Sequence, residues 1–149
     1  MLPQHLMDQI KEDLVRHEGY VTEIYLCSEN YPTFGIGHMV TENDMEHTWP
    51  VGTPVTDERI LQVFHDDCKV AIADAELLVN NLSDHPDFVS RVLVNMAFNI
   101  SRPRLSKFKN MLAAIEAKDY NKAADEMIDS KWYHQVGRRS QELVEMMRG

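Results

Sequence analysis

Apolar residues recur at helical spacing from the start of the chain. Leu2, Leu6, Ile10 and Leu14 fall on one face with Met7 and Val15 beside them, which predicts an amphipathic helix. Pro3 suits its first turn, and Gly19 stops it. From Tyr20 to about residue 40 the pattern turns β-favouring: Val21, Thr22, Ile24 and Tyr25, then Tyr31, Thr33, Phe34 and Ile36. The spacing predicts a hairpin around the polar turn Ser28-Glu29-Asn30. Gly35 and Gly37 mark close backbone approach, and Pro32 is expected at an edge or a bulge. Residues 41–55 are polar and carry Pro50, Gly52 and Pro54, so they read as mostly loop with room for one short helical turn.

Helical periodicity returns at Thr56, a good N-cap with Asp57 and Glu58 in the first turn behind it. Ile60, Phe64, Cys68, Ala71, Ala75 and Leu78 trace one face of a long helix. Its length, and the Asn80-Asn81 that follows, point to a connector between two lobes. Pro86 opens a helix apolar on more than one face, with Val89, Val92, Leu93, Met96 and Ile100, and Pro103 punctuates it. Leu105, Phe108, Met111, Leu112 and Ile115 predict the next helix, and shorter ones follow over Ala123–Ile128 and Arg138–Met147. The fold class is therefore α+β, a single domain with a small hairpin lobe at about 19–56 and a connecting helix at about 57–80. The helical lobe takes in about 1–18 and 81–149. The first helix is expected to pack with that lobe and leave a cleft, where ligands usually bind.

Composition narrows this only a little. The 149 residues are enough for one domain with a real core, and an apolar fraction of 44% with 26% charged residues is ordinary for a globular protein. No stretch approaches a membrane span. The first 25 residues lack the parts of a signal peptide, so accumulation in the cytoplasm is expected. Cys27 and Cys68 make no disulfide framework and are expected as free thiols. The net charge of −9 is uneven: residues 1–90 carry 17 acidic and 4 basic side chains, residues 91–149 carry 7 and 11. Arg102, Arg104, Lys107 and Lys109 crowd within eight positions. That cluster suits an anionic polymer or surface, and equally a merely solvated helix start. Nucleic acid is disfavoured by the acidic total and the lack of a matching motif.

Several chemical readings fail on spacing. His17-Glu18 would need a second His at position 21 for a zinc-protease helix, and Val21 stands there. His65, Asp66, Asp67 and Cys68 are consecutive on a helix and point in different directions, so they cannot close on one ion; no metal and no cofactor are expected. Gly35-Ile36-Gly37 is too short for a phosphate loop, and no serine elbow is present. What remains is Glu18, at the end of a helix facing the hairpin. The negative end of the helix dipole favours a protonated carboxyl there, as does partial burial, which suits a general acid for breaking a glycosidic bond. Most Glu residues at helix ends are simply solvated, so this alone does not single it out.

The longer pattern does. Arg16-His17-Glu18-Gly19-Tyr20, Ile24-Tyr25 and Tyr31-Pro32-Thr33-Phe34-Gly35-Ile36-Gly37-His38 resemble the active-site region of phage lysozymes, the glycoside hydrolase family of the T-even bacteriophage lysozyme. That family shows Glu, eight residues, Asp or Cys, five residues, Thr; Glu18, Cys27 and Thr33 meet both spacings. Asn95-Met96-Ala97-Phe98 and Ser130-Lys131-Trp132-Tyr133 also resemble its helical lobe, so nearly the whole chain is covered. The resemblance implies a two-lobed lysozyme-like fold and cleavage of the bond between N-acetylmuramic acid and N-acetylglucosamine in peptidoglycan, with host cell lysis. Glu18 is then the general acid, Cys27 stands in the place of the second carboxylate, and Thr33 holds the attacking water. Met39 and Phe98 would line the substrate, Arg139 would be a basic partner near Glu18, and His38 and Asp67 would form an ion pair. By the same resemblance the protein is a monomer that leaves the cytoplasm with the help of a holin.

Cys27 changes this picture. An aspartate with a pKa near 4 is ionised at neutral pH, whereas a thiol near about 8.5 is not. An acidic lobe should raise the thiol further unless Arg139 or a backbone dipole offsets it. As a thiolate it would open a covalent route. Two other functions fit parts of the pattern: a lytic transglycosylase using Glu18 alone, and a peptidoglycan-binding protein without catalysis.

Overall fold

The protein is described as a computed structural model covering residues 2–149; Met1, counted above in the helical lobe, lies outside the described residues. Among the described residues seven α-helices and one small antiparallel sheet make an α+β fold. α1 (Gln4–Glu18) ends where Gly19 takes φ +81°, a left-handed cap that an L side chain rarely adopts. β1 (Val21–Leu26), β2 (Pro32–Gly35) and β3 (His38–Met39) follow in the order β1-β2-β3. A short 3-10 turn, Met45–Thr48, occupies the expected loop. α2 (Asp57–Leu78) begins as the N-cap pattern predicts, with the Thr56 hydroxyl accepting from the Arg59 amide at 3.2 Å.

The strands form a three-stranded meander and not a lone hairpin. β1 pairs with β2 through Tyr25–Thr33 and Leu26–Pro32, then shifts register before Val21–Gly35. Within that shift β1 turns to the 52–55 segment: Ile24 donates to the Thr53 carbonyl and Gly52 donates to Ile24. Pro32 was expected at an edge or bulge. It stands instead as the first residue of the central strand, a position where its missing N–H costs no inner ladder bond.

The helices after residue 86 are α3 (Asp87–Leu105), α4 (Lys109–Glu116), α5 (Tyr120–Ile128), α6 (Lys131–Val136) and α7 (Arg138–Met147). α3 is buried almost all round from Val92 to Ala97, as its apolar pattern implies. It breaks at Ser101 (φ +69°), two residues ahead of Pro103, which cannot sit in an uninterrupted helix. The following helix starts later than expected. Leu105 closes the broken end of α3, and α4 begins only at Lys109. α6 was not foreseen, although Ser130 caps it by accepting from the Tyr133 amide at 3.2 Å.

The chain divides into two compact units, Lys11–Lys69 and Met1–Ile10 with Val70–Gly149. The division passes inside α1 and inside α2, so Glu18 belongs to the same unit as the sheet. In the Lys11–Lys69 unit Leu14, Ile24, Phe34, Ile36 and Ile60 are fully buried. In the other unit Leu93, Met96, Met111, Ile115 and Met127 are. Among the described residues no helix is long and apolar enough to cross a membrane.

Candidate active site

The Lys11–Lys69 unit gathers most of the residues singled out by the sequence. Glu18 is half-buried at the last turn of α1. Its carboxylate lies against Gly37: a Cβ built there would come within 2.5 Å of Oε1 and 2.9 Å of Cδ. Gly37 also has φ +65°, so the position excludes a side chain both by conformation and by space. The tight Gly35-Ile36-Gly37 turn thus lets the backbone approach the acid directly.

Cys27 opens the turn between β1 and β2. Its amide donates to the Tyr31 carbonyl at 3.0 Å and Asn30, at φ +65°, donates back to the Cys27 carbonyl at 2.8 Å. This tight turn folds backbone groups of Tyr31 and Glu29 over the sulfur. Their hydrogen bonds, with a further one from the Thr33 side chain, hold the thiol pKa below its ordinary value against the opposing effects of burial and the Glu29 charge. The acidic surroundings were expected to raise the thiol unless a backbone dipole or Arg139 offset them, and backbone groups supply that offset here. Local backbone dipoles contact the sulfur, whereas most of the lobe's carboxylates are solvated at a distance. Cys68 behaves in the opposite way. It is buried in α2, and burial pushes its thiol up to about 12.

Thr33 is buried in the central strand, and its hydroxyl donates to the Tyr31 carbonyl at 2.9 Å. The single hydroxyl proton has two destinations, that carbonyl or the Cys27 sulfur. In either case the oxygen keeps lone pairs that can accept from water. Tyr25, opposite Thr33 in the sheet, was quoted in the motif but not picked out as a site residue. Burial, then the charge of Glu18, then that of Cys27 raise its phenol pKa. One ring therefore feels both candidate groups. Alternation along β1, which pairs Tyr25 with Thr33, is the signal that points to it.

His38 and Asp67 meet as expected, with Nδ1 2.7 Å from the Asp67 carboxylate. Nε2 lies 2.9 Å from Asp44, which the sequence reading missed. Two carboxylates on the two ring nitrogens require both nitrogens to donate, hence a charged imidazolium. Burial alone would lower the His38 pKa; the bonds and charges of Asp67 and Asp44 together outweigh it and raise it. Asp44 also accepts from the Thr41 amide at 2.9 Å, and its carboxyl is held below the ordinary value, burial notwithstanding, by Thr41 and His38. Beyond it Arg59 grips the fully buried Glu46 through Nε at 2.8 Å and Nη2 at 3.0 Å. Nothing in periodicity marks this chain of five charges, because its members come from three separate segments.

Met39 stands exposed in β3 opposite Thr33. Phe98 and Arg139 belong to the other unit, where Arg139 Nε donates to Asn95 Oδ1 at 2.8 Å. The rejected metal reading of residues 65–68 agrees with their directions: His65 and Asp66 are exposed, Asp67 faces His38 and Cys68 is buried.

Comparison with known proteins follows the same lines. The model of the Phage lysozyme family matches residues 15–148. "Probable T4-type lysozyme 2" of Dictyostelium discoideum is 28% identical over 93% of this chain and 93% of its own length. "Peptidoglycan hydrolase gp36" of Pseudomonas phage phiKMV is 32% identical over 99% of this chain, which spans 16% of that longer protein. "Pre-baseplate central spike protein Gp5" of Enterobacteria phage T4 is 27% identical, with 93% of this chain matching 27% of it.

Proposed function

This chain belongs to the phage lysozyme family, and from that premise we propose that it hydrolyses peptidoglycan at the β-1,4 bond between N-acetylmuramic acid and N-acetylglucosamine, and so lyses a bacterial host. The observation that carries this reading is the grouping around Tyr25. Glu18 rests on Gly37, and Thr33, whose hydroxyl donates to the Tyr31 carbonyl, helps to lower the Cys27 thiol pKa, all in one compact unit.

In this mechanism the Glu18 carboxyl protonates the leaving glycosidic oxygen as the bond to the anomeric carbon breaks. A water accepted by Thr33 attacks that carbon, and the Cys27 sulfur takes the water's proton. Hydrogen bonds from the 29–31 turn stabilise negative charge on the sulfur. They lower its basicity and its nucleophilicity together while keeping more of it in the thiolate form that can accept the proton. Met39, exposed on β3 opposite Thr33, supplies apolar contact to the sugar. A holin would release the protein to the wall, where it acts as a monomer.

Mass spectrometry and NMR of the fragments released from purified sacculi test the reading. Reducing muramic acid ends with inverted anomeric configuration are expected. Anhydro ends would replace hydrolysis by transglycosylation, and retained configuration would make Cys27 the nucleophile. Binding to sacculi without any soluble fragment would sink the enzymatic reading. Alkylation of Cys27 in the native protein is expected to abolish release; full activity after modification would remove Cys27 from the mechanism.

A further inference from the structure

Tyr25 neighbours both the proposed acid and the proposed base. Alternation along β1 puts Tyr25 and Cys27 on one face, and cross-strand pairing adds Thr33 and then Met39 to it. Ile24 and Phe34, one position away on each strand, are buried in the core. The register shift that lets Ile24 bond to the 52–55 segment ends at Tyr25, and irregularities of this kind re-aim the side chains beside them. The ring is half-buried, and among the described residues its hydroxyl makes no hydrogen bond. A phenol withdrawn from water ordinarily has a partner.

Two charged groups act on the phenol, Glu18 from the end of α1 and Cys27 from the turn after β1. Burial first, then those two charges, hold the phenol pKa above its ordinary value, so Tyr25 keeps its proton and remains a neutral donor. Glu29 is a further acid in this region, and its charge acts on Cys27. In the proposed reaction negative charge passes from one neighbour of Tyr25 to the other. It begins on the Cys27 sulfur. The Glu18 O–H bond breaks as the leaving oxygen gains that proton, a water O–H bond breaks as the sulfur gains the other, and the charge ends on the Glu18 carboxylate. A donor bound only to the sulfur would stabilise the starting thiolate and slow the step. One that reaches both groups serves the transition state, where each carries part of the charge.

We propose that Tyr25 is a positioning residue whose hydroxyl donates to Cys27 before the reaction and to Glu18 after it, following the charge while keeping its own proton. Its part in catalysis rests on the proposed function. The sharing of one donor by the two groups rests only on the sheet and the end of α1.

Tyr25→Phe keeps the ring and its place opposite Thr33 and removes only the hydroxyl. On soluble glycan strands kcat is expected to fall about ten-fold, with KM and the thermal midpoint unchanged. Both limbs of the pH dependence of kcat are expected at higher pH than in the native chain, because the lost bond stabilised both charged forms. A substitution that merely loosened the sheet would lower the amplitude and leave the limbs in place. That result overturns the proposal, as does an unchanged kcat.

A readout independent of catalysis uses iodoacetamide, whose reaction with Cys27 is followed by mass spectrometry between about pH 6 and 10. Cys68 is buried, its thiol pushed up to about 12, and stays unmodified over this range. Tyr25→Phe is expected to move alkylation of Cys27 to higher pH. In the Glu18→Gln background, where no carboxylate competes for the hydroxyl, the same substitution is expected to move it further. Equal displacement in both backgrounds, or none in either, overturns the sharing. If the native chain releases no sugars from sacculi, the proposed function fails, while alkylation still decides whether the donor is shared.

Discussion

The two units are held together by different physics. In the unit of residues 70–149 a single helix, α3, is buried over Val92–Ala97; α7 packs against it, α5 against α7 and α4 against α5. In the unit of residues 11–69 the apolar core is smaller, and a relay of ions, Asp67–His38–Asp44–Arg59–Glu46, ties β3, the 41–48 segment and α2 together. The first arrangement is forgiving in its details, since apolar contact has no direction. The second needs each partner in place, because a buried charge left alone is costly. The candidate catalytic groups sit in the second kind of unit, where short turns and polar contacts can hold a side chain in one orientation. The difference suggests that damage to the Lys11–Lys69 unit will show first in activity, and damage to the helical unit first in stability.

The largest expected effect is chemical. Glu18→Gln keeps the shape of the side chain and removes the proton donor, so sugar release should fall by about a thousand-fold while the melting temperature stays within a degree or two of the native chain. A kinetic assay on sacculi beside a thermal melt reads both; retained activity would sink the mechanism. Next comes Gly37→Ala. Its Cβ would collide with the Glu18 carboxylate and its backbone sits at φ +65°. Displacing the acid by about an ångström should cost roughly a hundred-fold in kcat, with a smaller loss of stability. A variant equally damaged in stability but active would show that Glu18 tolerates misplacement.

Third, the two kinds of core can be compared directly by urea unfolding. Leu93→Ala in α3 and Arg59→Met beside Glu46 should each cost about 3 kcal/mol, the first by leaving a cavity and the second by stranding a buried carboxylate. Adding Glu46→Leu to Arg59→Met should recover much of the loss, since the stranded charge is then gone. If the double variant is no better than the single, the ion pair is not what that position requires.

The smallest effect is a slope. His38 has a raised pKa in the folded chain, so its contribution is complete below its ordinary value of 6.5 and is lost as pH rises through the folded value. Asp44 has a depressed pKa, so its contribution is complete above its ordinary value of 3.8 and is lost as pH falls through the folded value. The relay should therefore stabilise most in the window between those two ordinary values. His38→Asn should flatten the decline on the alkaline side. An unchanged profile in that variant would mean the imidazolium contributes nothing net.

Local patterns made much of this molecule legible in advance. The stop at Gly19, the cap at Thr56 and the all-round burial of α3 follow from periodicity and capping chemistry, and the pairing of His38 with Asp67 from the family resemblance. The places where the reading slipped share a cause. Pro103 signals a break, and the break falls two residues ahead of it at Ser101, in the turn that the proline ring crowds. β3 is two residues long, too short to carry a period. Asp44, Arg59 and Glu46 come together only because loop and helix fold onto one another.

Cys27 shows where the division lies. Its identity, and its spacing from Glu18 and Thr33, are properties of the sequence alone, as are the class of fold and the list of chemically capable residues. The sign of its pKa shift is not. Counting charges along the chain pointed upward, and the turn that brings backbone of Tyr31 and Glu29 to the sulfur points downward. Composition sets a mean field that solvent largely screens, whereas a titrating group answers to the few dipoles within hydrogen-bond reach. Only the tertiary structure chooses those.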